Sequence, residues 1–226
     1  MPDADRLAGR EALTPLGARV LRVLVGIAVA TWAITTVAHV ADLVLWQRAV
    51  LLFDVESAQS VAGWASSTVL ALAAAASGLL ALVRRPRWTW IVLAAVFALL
   101  SADDDIGIFD QVLRHRLPSR PDPDVVIWLV SFGPLMGAAF LLLGRWARTI
   151  PAPLRRTVTW GLGLLVLAIV GELLVTVVDV PALTTGMPLY ELEVTIEEGF
   201  ELLGVALLAA ALFTALVEAV VRARDA

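Results

Sequence analysis

Residues 88–110 read Trp88-Thr-Trp-Ile-Val-Leu-Ala-Ala-Val-Phe-Ala-Leu-Leu100-Ser101-Ala-Asp103-Asp104-Asp105-Ile-Gly-Ile-Phe-Asp110. The run from Trp88 to Leu100 is apolar and uncharged, and three adjacent carboxylates close it. A hydrocarbon core of about 30 Å takes roughly 20 helical residues at about 1.5 Å each. Counted from Arg84, Arg85 and Arg87, such a helix ends near Gly107, which puts Asp103, Asp104 and Asp105 at the outer edge of the apolar slab. Ionised groups there are costly unless they are paired, hydrated or bound to a cation. The stretch therefore reads as a membrane span that ends in a polar site.

The remainder of the chain repeats the pattern. Hydrophobic residues make up 60% of the 226 positions, and the mean hydropathy is +0.86. Soluble domains average about 45–50% apolar. The apolar residues fall in long uncharged runs without the alternation of barrel strands, so the expected fold is all-α and polytopic. Six spans are expected: Val20–Trp46, Val61–Val83, Trp88–Asp105, Val125–Gly144, Thr157–Val180 and Thr195–Val221. They form one transmembrane domain over 20–221, between a segment 1–19 and a tail 222–226. The polar first twenty residues show no cleavable signal, so the first span is expected to act as a signal anchor.

The 17 basic residues are all arginine, which suggests a GC-rich bacterial genome. Thirteen of them lie before or at the very start of span one, between spans two and three, between spans four and five, or after span six. The positive-inside rule then places both termini in the cytoplasm, with the protein in a bacterial cytoplasmic (inner) membrane. Split among four segments, the arginines read as topology signals, and no nucleic-acid footprint is present. Without cysteine, disulfides, thiolate ligands and cysteine nucleophiles are excluded.

Acids take the opposite side. Of 21, only Asp3, Asp5, Glu11, Glu218 and Asp225 fall on the cytoplasmic half. Glu218 stands four residues before Arg222 and reads as an ordinary i,i+4 pair. Exported loops tolerate acids, which accounts for Asp54, Glu56, Asp122 and Asp124. It does not account for acids at membrane depth. In span one, Trp32, Thr35, His39, Asp42 and Trp46 recur at helical spacing on one face. His and Asp at i and i+3 can share a metal, or the Asp can orient the imidazole; the plainer use is a hydrogen-bonded tie to a neighbouring helix. In span five, Glu172, Thr176 and Asp179 form a stripe. Span six opens with Glu191, Glu193, Glu197, Glu198 and Glu201, and Gly199 and Gly204 among them permit close helix contact. Glu191 and Glu193 suit a solvated first turn. Glu201, about 20 residues from Val221, stands at the hydrocarbon edge.

Four spans thus carry polar groups at one outer depth. The candidate ligands are His39, Asp42, Asp103, Asp104, Glu172, Glu197, Glu198 and Glu201. Oxygen-rich sets with one imidazole suit hard or borderline divalent cations. Carboxylate relays are the other use of such groups.

Familiar chemistries do not match. The two separated Asp-rich motifs of intramembrane prenyltransferases are missing, as are the Asp-Gly…Ala-Arg run of CDP-alcohol phosphotransferases and the rhomboid Gly-x-Ser-Gly. Glu197-Glu198 begins like the Glu-Glu-x-x-x-Arg of CAAX-type proteases, but position 202 is Leu. Ser101–Asp110 resembles a Ser-Leu-Asp-Glu-x-x-x-Ile-His-Glu signature of uncharacterised bacterial multi-pass membrane proteins, whose last helix opens with Glu-Glu-x-x-Glu. Ser101, Asp103, Asp104, Ile108 and Asp110 match in type, Ala102 replaces Leu, and Phe109 replaces His. Glu197-Glu198-Gly-Phe-Glu201 matches the second part. The resemblance implies a multi-pass membrane protein and brings no activity with it.

The expected function is a membrane protein whose outward-facing carboxylate and histidine cluster binds a cation, as a binding or assembly subunit. A proton or cation transporter and a metal-dependent enzyme on a lipid-linked or periplasmic substrate are the alternatives. The expected partners are the lipid bilayer and a second membrane protein or a second copy of the chain.

Overall fold

The computed structural model describes residues 12–46, 50–53, 60–106, 124–178 and 188–225. Six long helices run through them: α1 (Pro15–Ala41), α2 (Val61–Val83), α3 (Arg87–Ile106), α4 (Asp124–Ala147), α5 (Ala152–Val178) and α6 (Pro188–Arg224). No strand occurs among the described residues. Each helix coincides with an expected span, with ends displaced by up to about seven residues. The largest displacement is at α6, which begins at Pro188 instead of Thr195.

Local chemistry sets the starts. Thr14 caps α1, its hydroxyl accepting from the Gly17 amide at 3.0 Å, and Pro15 takes the first helical position, where no amide hydrogen is needed. Ser60 caps α2 in the same way through the Gly63 amide at 3.1 Å. Arg84 ends α2 in extended conformation, and a cis Arg85–Pro86 peptide bond leads into α3. Beyond Ala41, α1 widens into a π-helical turn, Asp42–Trp46.

The last helix is the axis. It packs against α1, α2 and α5, while α3 backs onto α2 and α4 bridges α3 and α5. Of its apolar span 67% is buried, against 17% for α1. Burial on that scale needs small side chains, and Ala206, Ala209, Ala210, Ala211 and Ala215 are all buried. At the α5 crossing the backbones meet: a Cβ on Gly204 would stand 3.0 Å from the Gly161 carbonyl oxygen and 2.9 Å from Leu165. Trp90 and Trp146 meet edge to face at 5.4 Å and pin α3 to α4. Both indoles are buried, so they serve as core.

The outside of the bundle is as apolar as its core. Val23, Ile27, Ile34 and Val37 on α1 and Val44 in its π-helical turn are all more than half exposed, an apolar surface that suits lipid and not water. Among the described residues, four helical segments are long and apolar enough to cross a membrane: Pro15–Leu45, Val61–Val83, Ala152–Gly171 and Val194–Arg224. This is an all-helical protein of membrane type.

At the arginine-rich end, Glu218 does more than its i,i+4 spacing indicates. It is only 3% exposed. Its Oε1 accepts from the Thr14 amide at 2.8 Å and the Thr14 hydroxyl at 2.6 Å. Its Oε2 accepts from Arg222 Nε at 3.2 Å, and the other end of that guanidinium donates to the Ala12 carbonyl at 3.0 Å. Any side chain at Gly17 would strike the Glu218 carboxylate. The residue joins the first helix cap to the last helix.

Two predictions follow from packing. Gly204→Ala lowers the thermal unfolding midpoint in detergent, by about 1–3 kcal/mol in stability, whereas Gly26→Ala, with open space around its Cβ, leaves it unchanged. Glu218→Ala strands the half-buried donors of Thr14 and costs about 1–3 kcal/mol; Glu218→Gln, which keeps an acceptor, costs less by the same measurement.

Candidate functional site

The opposite end of the bundle holds the expected ligands. Trp32 and Thr36 of α1 face Gly199 of α6, whose added Cβ would lie 2.8 Å from Trp32 Nε1. With Gly17 against Glu218, this sets α1 antiparallel to α6 and carries His39 to about the level of Thr195. The Gly161–Gly204 crossing likewise carries the α5 backbone at residue 172 to about the level of residue 193. On the far side of the axis, Ser67 of α2 and Ser101 of α3 exchange bonds: Ser101 Oγ donates to the Ser67 carbonyl at 2.9 Å, and Ser67 Oγ to the Ser101 carbonyl at 3.2 Å. The first residue of the acidic motif is thus a helix-to-helix tie, and half-buried Asp103 follows it.

The polar stripe of α1 faces inward. Thr35, His39 and Asp42 are buried, His39 at 2% and Asp42 at 1% exposed. Thr35 Oγ1 bonds back to its own helix, on the carbonyls of Thr31 and Trp32, both at 3.0 Å. His39 and Asp42 instead hold the chain that follows: His39 Nδ1 lies 3.1 Å from the Phe53 carbonyl oxygen, and Asp42 Oδ1 accepts from the Val50 amide at 3.1 Å. A carbonyl oxygen only accepts, so Nδ1 carries the proton, and in the neutral ring Nε2 bears the lone pair. The π-helical turn starts at Asp42, whose amide reaches both Ala38 and His39 carbonyls. Such turns disturb the helical register where a side chain must be re-aimed.

Glu197, Glu198 and Glu201 are half-buried on α6. Each of them, with Asp103 and Thr195, takes part in a polar or electrostatic interaction. The Asp104 and Glu172 side chains lie outside those described, as does Asp179 altogether. Among the described residues, no three histidine or carboxylate side chains form a group that could hold a metal ion. His39 and Asp42 are brought together around residues 50–53, and of the described acids, Asp103, Glu197, Glu198 and Glu201 share that end of the bundle without joining such a group.

Val50, Phe53 and Ser67 were not legible as part of this region. The first two contribute backbone groups, which carry no sequence signal, and Ser67 is one serine in an alanine-rich helix.

Residues 21–215 match DUF8692, a domain of unknown function, and the chain belongs to that family. No curated protein and no solved structure matches it. The family spans all six helices, from α1 to the greater part of α6, so the bundle as a whole is the family unit.

Asp42→Ala removes the acceptor of the Val50 amide. Leaving that donor unmade costs about 1–3 kcal/mol, so hydrogen exchange at Val50 accelerates roughly ten- to hundredfold, while amides in the middle of α6 keep their protection.

Proposed function

We propose that this is a six-span protein of the bacterial cytoplasmic membrane, both termini inside, whose outward-facing polar layer binds a divalent cation. The ligands come from His39, Asp42, Asp103, Asp104, Glu172, Glu197, Glu198 and Glu201, and the site serves binding or assembly. The observation that carries this reading is the Nδ1 contact of His39 to the Phe53 carbonyl. Metal-ligating imidazoles donate their second ring nitrogen to a carbonyl or carboxylate, which fixes the tautomer and presents the other nitrogen as ligand. His39 has that arrangement inside the bundle, at the level where α6 carries its glutamates. A carboxylate-rich surround favours a hard or borderline ion and would offset repulsion among the glutamates.

The test is metal analysis of protein purified without chelator, with Asp104→Asn, Glu201→Gln and His39→Gln beside it. A stoichiometric divalent ion is expected in the parent and a reduced content in each variant, with a lowered unfolding midpoint. Absence of metal from the parent, with stability unchanged in both carboxylate variants, overturns the cation site. Proton or cation flux in liposomes that disappears in Glu172→Gln would assign transport in place of assembly.

A further inference from the structure

The arginine-rich end contains a second feature that the outer polar layer does not use. Arg84 closes α2, its amide bonded to the Leu80 carbonyl at 2.8 Å, and its side chain is half-buried at the meeting of α1, α2 and α6. The buried carboxylate nearby is Glu218, and its oxygens are committed: Oε1 to the amide and hydroxyl of Thr14, Oε2 to Arg222. Two guanidiniums therefore share one carboxylate, and geometry awards it to Arg222. Among the described residues, the Arg84 guanidinium makes no hydrogen bond and no ion pair of its own.

The electrostatics agree with the geometry. Burial lowers the Arg84 pKa below the usual guanidinium value, the Arg222 charge lowers it further, and Glu218 offsets part of this. A group held this way is still charged at neutral pH, since a guanidinium is not deprotonated inside a protein. It is a half-buried cation with an unmet need for an anion, and unpaired buried charge is costly. Exposed Arg85, Arg87 and Trp88 follow it directly in the chain. Arginines beside an indole at the end of an apolar span mark the headgroup level.

We propose that the junction of α1, α2 and α6 is a binding site for a phosphate anion, filled in the membrane by an anionic phospholipid headgroup, with Arg84 as its principal contact. A guanidinium presents a planar fork that matches two phosphate oxygens, which an ammonium does not. Basic pockets between spans on the cytoplasmic side recognise headgroups by this chemistry. The bound phosphate supplies the negative charge that Glu218 cannot, and it ties the α2–α3 turn to the end of α6. The proposal rests on the membrane-spanning reading above and is independent of the outer cation site.

The experiment uses the full chain in nanodiscs of phosphatidylcholine alone and of phosphatidylcholine mixed with phosphatidylglycerol, read by the unfolding midpoint. The parent is expected to gain stability in the mixed lipid. Arg84→Gln is expected to fold in phosphatidylcholine with an unchanged or higher midpoint, because an unpaired charge has been removed, and to lose the gain from phosphatidylglycerol. Arg84→Lys keeps part of it. Arg148→Gln, an exposed arginine between α4 and α5, keeps it in full. In a further arm, inorganic phosphate is added to protein in neutral detergent. Stabilisation there, absent in Arg84→Gln, supports the anion site and assigns it to soluble phosphate; stabilisation confined to the lipid arm supports the headgroup. An equal response of the parent and Arg84→Gln to phosphatidylglycerol overturns the proposal. Failure of the parent to enter phosphatidylcholine discs at all would instead overturn the membrane reading, so the two failures are told apart.

Discussion

Burial of α6 is the constraint on which the remaining packing depends. A helix surrounded by α1, α2 and α5 cannot be held there by the hydrophobic effect when the alternative environment is lipid, which is as apolar as leucine. What remains is close contact and polar ties. Contact is met by the alanine surface Ala206–Ala215 and by the Gly161–Gly204 crossing, where backbone meets backbone. The polar ties are at the ends. Glu218 links α6 to the cap of α1, and at the other end Ser67 and Ser101 link α2 to α3 while His39 and Asp42 gather in residues 50–53. The middle of the bundle is fastened by shape and its two ends by hydrogen bonds.

The helices were legible because their signal is local. A run of twenty apolar residues bounded by arginines or acids announces a span whatever surrounds it, and all six coincide with observed helices. The inward face Thr35–His39–Asp42 was legible for the same reason, since helical spacing places the three on one side. Gly204 was legible as a contact point, but its partner Gly161 was not, because nothing within α5 marks which glycine meets another helix. Glu218 was the largest miss. Its bonds to Thr14 cross 204 positions of sequence, and the nearby Arg222 offered a sufficient local explanation. The Ser67–Ser101 pair was hidden similarly, one half in a conspicuous acidic motif and the other in a bland helix.

The two ends of α6 differ in a way that follows its dipole. Glutamates gather at the N-terminal end and Arg222 and Arg224 at the C-terminal end, each facing the partial charge that stabilises it. In the proposed topology the positive-inside rule asks for the same polarity, so the helix dipole and that rule would act in one direction. This accounts for acids on the first turns of α6, where like charges at i,i+4 would otherwise repel. It accounts less well for Glu201, more than three turns inside the helix, where the terminal partial charge no longer reaches.

Length decides what those inner glutamates experience. At 37 residues, α6 is about 55 Å long, well beyond the roughly 30 Å of hydrocarbon it has to cross. In the proposed topology, a slab of that thickness counted back from Arg222 ends near Leu202, which puts Glu201, Glu198 and Glu197 on its margin. Carboxylates at that depth are close enough to water for a hydrated ion to reach, and shielded enough that repulsion among them is only partly screened. In the proposed cation site, these glutamates would stand at the margin of the apolar slab, with the buried His39 imidazole on the α1 side. Depth along the helix, not charge count, separates these three glutamates from Glu191 and Glu193, which lie closer to its start.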